Sequence, residues 1–316
     1  MGRLFGVALL VFTLALGACP TIRAALEPDA GELVLAQDCE GSPTLCAANG
    51  CMLACWSLAG NIHVVPALDE RLSPVPEAGI ISINGERTLS APTICNFKEH
   101  SIIAYALPDG GIRLVDFEAG TSFPGGIFAN KRLLSGQSCD GQPAMAASSN
   151  RLFVGWKSAH DSRVNLMSSG NGENFWRHVT LTDQRTDRPV RVAATDTAVT
   201  LLWREEGTGL IRLATSIDGG RNFTAFGDLN HRRTDQAPAA AFTQDRLIVV
   251  WKEPGKDALH VASSKDLGAH WGPDRIVQRA STDSAPTLCV SEPHLMLLWR
   301  GAETGHQIHI EELAAP

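Results

Sequence analysis

Pro238–Trp251 reads PAAAFTQDRLIVVW: a proline, a run of small residues, a polar turn, and an apolar run ending in tryptophan thirteen positions after the proline. The same unit recurs along the chain. Its prolines are Pro43, Pro92, Pro143, Pro189, Pro238 and Pro286, and its aromatics Trp56, Tyr105, Trp156, Trp203, Trp251 and Trp299. Successive aromatics lie 49, 51, 47, 48 and 48 residues apart. A period near 50 residues built from short strands is the sequence mark of a β-propeller with one four-stranded sheet per repeat. The six copies predict an all-β, six-bladed propeller.

Aligned on the aromatics, each copy resolves into four strands. The first begins at the proline (PTLCAA, PTICNF, PAMAAS, PVRVAA, PAAAFT, PTLCVS), where a missing N–H costs no ladder bond. Small residues follow, as crowding around an axis requires. The second is continuously apolar (MLACW, IIAYA, LFVGW, VTLLW, LIVVW, LMLLW), which predicts burial on both faces between stacked blades. The third alternates, as in residues 258–262 (ALHVA), and the fourth is weaker: residues 87–89, 132–134, 178–181, 226–229 and 275–278. The sixth copy stops after its third strand. Residues 31–37 (GELVLAQ) look like the missing strand, so the N-terminal end is expected to close the ring by pairing two open sheet edges.

Residues 1–18 read as a signal peptide: Arg3, then an uncharged apolar run from Leu4 to Ala18, short for a membrane span. Leu16-Gly17-Ala18-Cys19 resembles a bacterial lipobox, which implies lipidation of Cys19; plain secretion, with cleavage after Ala18 or Ala24, is the other reading. Residues 19–30 are then a tether and residues 31–316 the propeller. Both readings place the mature protein outside the cytoplasm, lipid-anchored in the periplasm or envelope, or secreted. Seven further cysteines follow, and in an oxidising compartment some are expected to pair, with at least one left over. The formal charge is −7 and there is no Lys/Arg run, which argues against nucleic acid as a partner. No G-x-S-x-G, HExxH, P-loop or dinucleotide fingerprint occurs, and no cofactor is expected.

Ser216-x-Asp218-x-Gly220-x-x-Phe223 and Ser264-x-Asp266-x-Gly268-x-x-Trp271 fall between the third and fourth strands of the fourth and fifth copies. Degenerate versions occupy the same place at Asp116-x-Glu118-x-Gly120-x-x-Phe123 and Ser168-x-Gly170-x-Gly172-x-x-Phe175. These turns resemble the Asp-box, or BNR repeat, of the sialidase superfamily. The resemblance spans the whole mature chain and implies the propeller fold, with the boxes structural rather than catalytic. A sialidase uses an arginine triad, an aspartate acid/base and a tyrosine nucleophile with its glutamate. Here the one tyrosine, Tyr105, takes the place of a core tryptophan, and the arginine-bearing segment before the first blade is replaced by Gly41-Ser42-Pro43-Thr44. Arg191 alone resembles a remnant of the triad. Sialidase activity is not expected.

Three constellations remain. Lys157, Arg204, Lys252 and Arg300 follow the aromatic in copies three to six, and Asp140, Asp187, Asp235 and Asp283 precede the proline. Antiparallel pairing brings both sets to one open face, either as one ion pair per blade or as a ligand-facing ring. Ser57 and Ala106 replace the cation in copies one and two, so ligand contact is expected there, where the repeat is broken. Cys46, Cys95 and Cys289 share one position on the first strands of copies one, two and six, as small core residues or as a soft-metal or redox cluster. His63, His260 and His309 share a third-strand slot that Arg113, Asn165 and Arg212 fill elsewhere, the pattern of a polar space-filler. The function expected from these residues is a monomeric, non-catalytic binding or assembly module of the bacterial envelope, its partner an envelope protein or a glycan. The alternatives are a carbohydrate-active hydrolase with a non-sialidase site and, third, a metal or redox role.

Overall fold

The structure, a computed structural model, describes residues 24–26, 32–35, 38–48, 50–69, 71–75, 79–83, 86–119, 126–244 and 246–314. The signal peptide and Cys19 lie outside these residues, as do Gly120 and Phe123. Six antiparallel sheets form a ring. Their innermost strands are Glu40–Ala48, Thr93–Phe97, Ala144–Ala147, Arg191–Ala194, Ala239–Phe242 and Thr287–Ser291, in blades 1 to 6. The second strands are Cys51–Leu58, His100–Ala106, Leu152–Lys157, Val199–Arg204, Leu247–Lys252 and His294–Arg300. Five of the prolines stand one or two residues before their inner strands, and Pro43 lies within Glu40–Ala48, where the pairing register shifts between Glu40 and Thr44.

The apolar second strands make the core. Trp56, Trp156, Trp203, Trp251, Trp299 and Tyr105 are all buried, each clustered with apolar residues of the preceding blade around the ring. In blades 1, 5 and 6 the tryptophan lies against the third-strand histidine: Trp56 on His63, Trp251 on His260 and Trp299 on His309, with ring centroids 5.6, 5.5 and 5.1 Å apart. Offset aromatic contact of this kind adds ~0.5–1.5 kcal/mol to burial. Packing between blades is tight enough to dictate a glycine. A Cβ on Gly155 of blade 3 would lie 2.6 Å from Val192 Cγ2 of blade 4.

Glu32–Leu35 pairs antiparallel with Ile308–Glu312 in the register Leu33↔Ile310 and Leu35↔Ile308, completing blade 6 as expected. Leu33 and Leu35 are buried in the seam with Met52, Trp56 and Leu298, so the closing strand joins blade 6 to blade 1. A further strand, Ala24–Leu26, pairs outside it, so the sheet reaches into the segment read as a tether. One outer strand differs from expectation. In blade 1 it is Ile81–Ser82, paired with His63 and Val64, rather than residues 87–89. There Thr88 N–H donates to the Gly60 carbonyl and Leu89 N–H to the Ala106 carbonyl, which ties the segment to the open-face loops instead.

Candidate functional site: the open face and the axial channel

The predicted acids and cations of the open face meet, blade by blade. Lys157 lies 2.7 Å from Asp140, Lys252 2.9 Å from Asp235 and Arg300 2.6 Å from Asp283, and Arg204 pairs with Asp187. Each cation ends a second strand and each acid lies just before an inner strand, so antiparallel pairing sets the contact. The pairs also brace loops: Arg204 Nε donates to the Thr234 carbonyl and Gly255 N–H to Asp235. Lys252 is only 4% exposed, which marks its pair as the most enclosed. The ring of cations is thus neutralised within each blade.

Blades 1 and 2 are built differently at the same position. Counting three residues back from the proline, Asp140, Asp235 and Asp283 are matched by Glu40 in blade 1 and by Leu89 in blade 2. The backbone is equivalent: Leu89 N–H donates to the Ala106 carbonyl as Asp140 N–H donates to that of Lys157. Ser57 Oγ donates to the Glu40 carbonyl. With no cation opposite, the Leu89 side chain stands 68% exposed. A cleft of about 500 Å³ opens here, lined among others by Glu40, Ser57, Thr88, Leu89, Ala91 and Gln142, with Asp283 and Arg300 on its far side. Glu40 and Leu89 carry a signal that the repeat alignment contains; the copies had only to be compared at the acid's position.

Gln142 closes the floor of the cleft. Its amide Nε2 donates to the Ser42 and Pro92 carbonyls, at 3.2 and 2.8 Å, and its Oε1 accepts from Arg191 Nη2 at 2.9 Å. One side chain therefore links blades 1, 2, 3 and 4 across the axis. No local sequence pattern announces such a contact, and Gln142 was legible only as a loop residue. Beneath it lies an axial cavity of about 250 Å³, lined by the inner strands and containing Arg191, Cys46, Cys95 and Cys289. The three cysteines do come to one cavity. Burial pushes the Cys95 and Cys289 thiols up to about 12, and burial followed by the neighbouring thiols holds Cys46 well above its ordinary range. Yet no group of three or more His, Cys, Asp or Glu among the described residues is arranged to hold a metal, so the soft-metal reading fails on geometry. The expected pairing is not seen either: none of the seven described cysteines is in a disulfide; Cys46, Cys95 and Cys289 stand on inner strands, Cys51 and Cys55 on a second strand, and Cys39 and Cys139 just before inner strands.

The opposite face carries the S-x-D-x-G turns. Ser216 Oγ donates to Asp218 and accepts Gly220 N–H, while Asp218 accepts the N–H groups of Arg221 and Asn222. Ser264, Asp266, Gly268 and His270 repeat the pattern. Gly220 and Gly268 take φ of +77° and +93°, a region closed to most residues. Phe223 and Trp271 pack at the edge of the blade cores. The hydrogen bonds hold Asp266 down to about 2, through His270 first and Ser264 after it, and Asp218 lower still, through Ser216 and then Asn222. The degenerate turn of blade 3 is offset by one residue from the sequence reading. Ser169, not Ser168, accepts Gly172 N–H, and Asn171 replaces the carboxylate by accepting from Glu173 and Asn174. In blade 2, Asp116 bonds Arg132 and Asn130 on the outer strand, so it braces the sheet rather than a turn.

The histidine slot is structural. His260 lies between Glu253 and Asp274, His309 between Glu32 and Glu303, and His63 bonds Ser82, while Arg113 and Arg212 pair with Glu86 and Glu205. Tyr105, opposite Arg113 in the ladder, is fully buried, and burial, followed by the Glu86 charge, raises its phenol above the ordinary range. Tyr105 thus fills the core position that tryptophan holds in the other five blades.

No protein-family model matches the sequence, and no curated protein does. Among solved structures the chain is similar to the Hadza microbial sialidase Hz136, with a TM-score of 0.57 and 12% identity over 85% of this chain and 64% of that one. It therefore spans less than two thirds of that sialidase. The subtype N10 neuraminidase-like protein of A/little yellow-shouldered bat/Guatemala/060/2010 aligns with a TM-score of 0.56 at 6% identity, over 87% of this chain and 97% of that one. The exo-β-1,3-galactanase of Phanerochaete chrysosporium gives 0.51 at 9% identity, over 71% and 60%. At these identities the likeness is one of fold: this chain is a six-bladed β-propeller with structural neighbours among sialidases.

Proposed function

We propose that the chain is a non-catalytic binding propeller whose partner, an envelope protein or a glycan, docks in the open-face cleft beside blades 1 and 2. One observation carries this reading. Of the two carboxylates lining the cleft, Asp283 is committed to Arg300, which leaves Glu40 as the one acid without an ion-pair partner among the described lining residues. Hydrolysis of a glycosidic bond ordinarily needs two cooperating carboxyl groups about 5–10 Å apart. A cleft with one unpaired acid and an exposed leucine suits recognition better than bond cleavage. The turns that resemble Asp-boxes fit the same reading, since they brace the face away from the cleft. Placement in the envelope rests on the leader and on Cys19; Cys19→Ser should release the protein into the soluble fraction if a lipid holds it.

The test pairs turnover with binding. Mature protein is expected to hydrolyse neither a fluorogenic sialoside nor a panel of fluorogenic galactosides and arabinosides. It is expected to retain one saturable partner from envelope extract, and Leu89→Arg should abolish that capture with the melting temperature unchanged. Turnover that disappears in Glu40→Gln would establish the hydrolase in its place.

A further inference from the structure

We propose that the axial channel is an anion-binding site, in which Arg191 holds one small monovalent anion beneath Gln142. The cavity there is lined by residues of all six inner strands, and among the described lining residues Arg191 is the one charged side chain. Arg191 is 9% exposed. Its protein partners are two neutral oxygens, the Val190 carbonyl at 3.2 Å and Gln142 Oε1 at 2.9 Å. A guanidinium offers five N–H donors, so about three are left to face the cavity. Arg113, Arg132, Arg204, Arg212 and Arg300, by contrast, each pair with a carboxylate.

A buried charge without a counter-charge is costly, on the order of several kcal/mol even after relaxation. The chain has two ways to offset it. One is ionisation of a neighbouring thiol, but burial holds Cys46, Cys95 and Cys289 in the neutral form at physiological pH. The other is an anion from solution. The net charge of the cavity is a single positive one, which selects a monovalent ion, and the rest of the lining is uncharged, from alanines (Ala144, Ala193, Ala239, Ala241) to Thr44, Thr93, Thr287 and Asn96. Gln142 bars approach from the cleft, because its amide is committed to Ser42, Pro92 and Arg191. Entry is from the far end, where Ala47, Asn96, Ala147, Ala194, Phe242 and Val290 line the cavity at or one residue before the ends of the inner strands. The site is thus separate from the open-face cleft and does not depend on what that cleft binds.

Chloride is the probe. In a thermal melt at pH 7, sodium gluconate, whose anion is too bulky and hydrated for this channel, is replaced stepwise by sodium chloride at constant ionic strength. The wild type should gain about 2–4 °C, with a saturating dependence on chloride. Arg191→Met should lose that dependence, and Arg191→Lys should keep part of it. Should Arg191→Met fail to fold, a crystal of wild type soaked in iodide decides: an anomalous peak beside the guanidinium supports the site. Identical melts in the two salts, no iodide beside Arg191, or a thiolate absorbance near 240 nm at pH 7 would each overturn it.

Discussion

Blades 3 to 6 and blades 1 to 2 share one backbone plan but spend their open-face positions differently. In the first group a cation closing the second strand meets an acid before the inner strand, in all four blades. In the second group the same two positions hold Ser57 with Glu40 and Ala106 with Leu89, and the cleft opens against them. Repetition of a charge at a fixed register marks a contact the fold uses; its interruption marks surface released from that duty. The comparison also says what stays constant. Tyr105 sits in blade 2 as Trp251 sits in blade 5, fully or almost fully buried, so the core is repeated even where the rim is not.

The sharpest test of that constancy is truncation of the two core aromatics. Tyr105→Ala and Trp251→Ala should each cost about 3–5 kcal/mol in urea unfolding. A Tyr105→Ala protein as stable as wild type would show that blade 2 is not a true copy. Next in size is Lys252→Met, which strands Asp235 beside an enclosed position and should cost about 1–3 kcal/mol. The matched change in blade 2, Ala106→Met, should move stability by less than about 0.5 kcal/mol. Equal effects would erase the distinction between the groups. Arg204→Glu, at a more exposed pair, is expected to cost about 1 kcal/mol or less and to leave partner capture intact. Loss of capture in a stable Arg204→Glu protein would move the binding surface onto the charged blades.

The smallest effect concerns the opposite face and has a pH signature. Asp266 is held at about 2 against an ordinary 3.8, so it binds its proton less readily folded than unfolded. The stability it contributes is present above about pH 4 and is lost as pH falls towards 2. Asp266→Asn should therefore flatten the acid limb of a stability–pH curve between those values. Open-face substitutions such as Ala106→Met should leave that limb unchanged.

The repeat was legible because prolines at strand starts and aromatics at strand ends are forced by local geometry, once per blade. The ion pairs were legible for the same reason, since antiparallel neighbours convert fixed spacing into contact. Legibility fails where the controlling contact is not local. Residues 87–89 have strand-like composition, but hydrogen bonds to Gly60 and Ala106 hold them in the open-face loops. In blade 3 the motif spacing favours Ser168, four residues before Gly172, whereas the turn's hydrogen bonds choose Ser169. Gln142 and Arg191 meet because four blades converge on an axis, a relation that no window of sequence contains.

The closing strand has a consequence for how the molecule acquires its structure. His309 bonds Glu32 across 277 residues of chain, so the sixth sheet joins segments near the two ends of the described residues. During synthesis, blades 1 to 5 can complete from contiguous residues as they emerge, whereas blade 6 must wait for its last strand and then recover its first. Contacts of such sequence separation are slow to form, and an unpaired strand edge is exposed meanwhile. A circular permutant that places Glu32–Leu35 directly after Glu312 would convert this longest-range pairing into a hairpin. It should refold faster than the natural order, with less aggregation on dilution from denaturant.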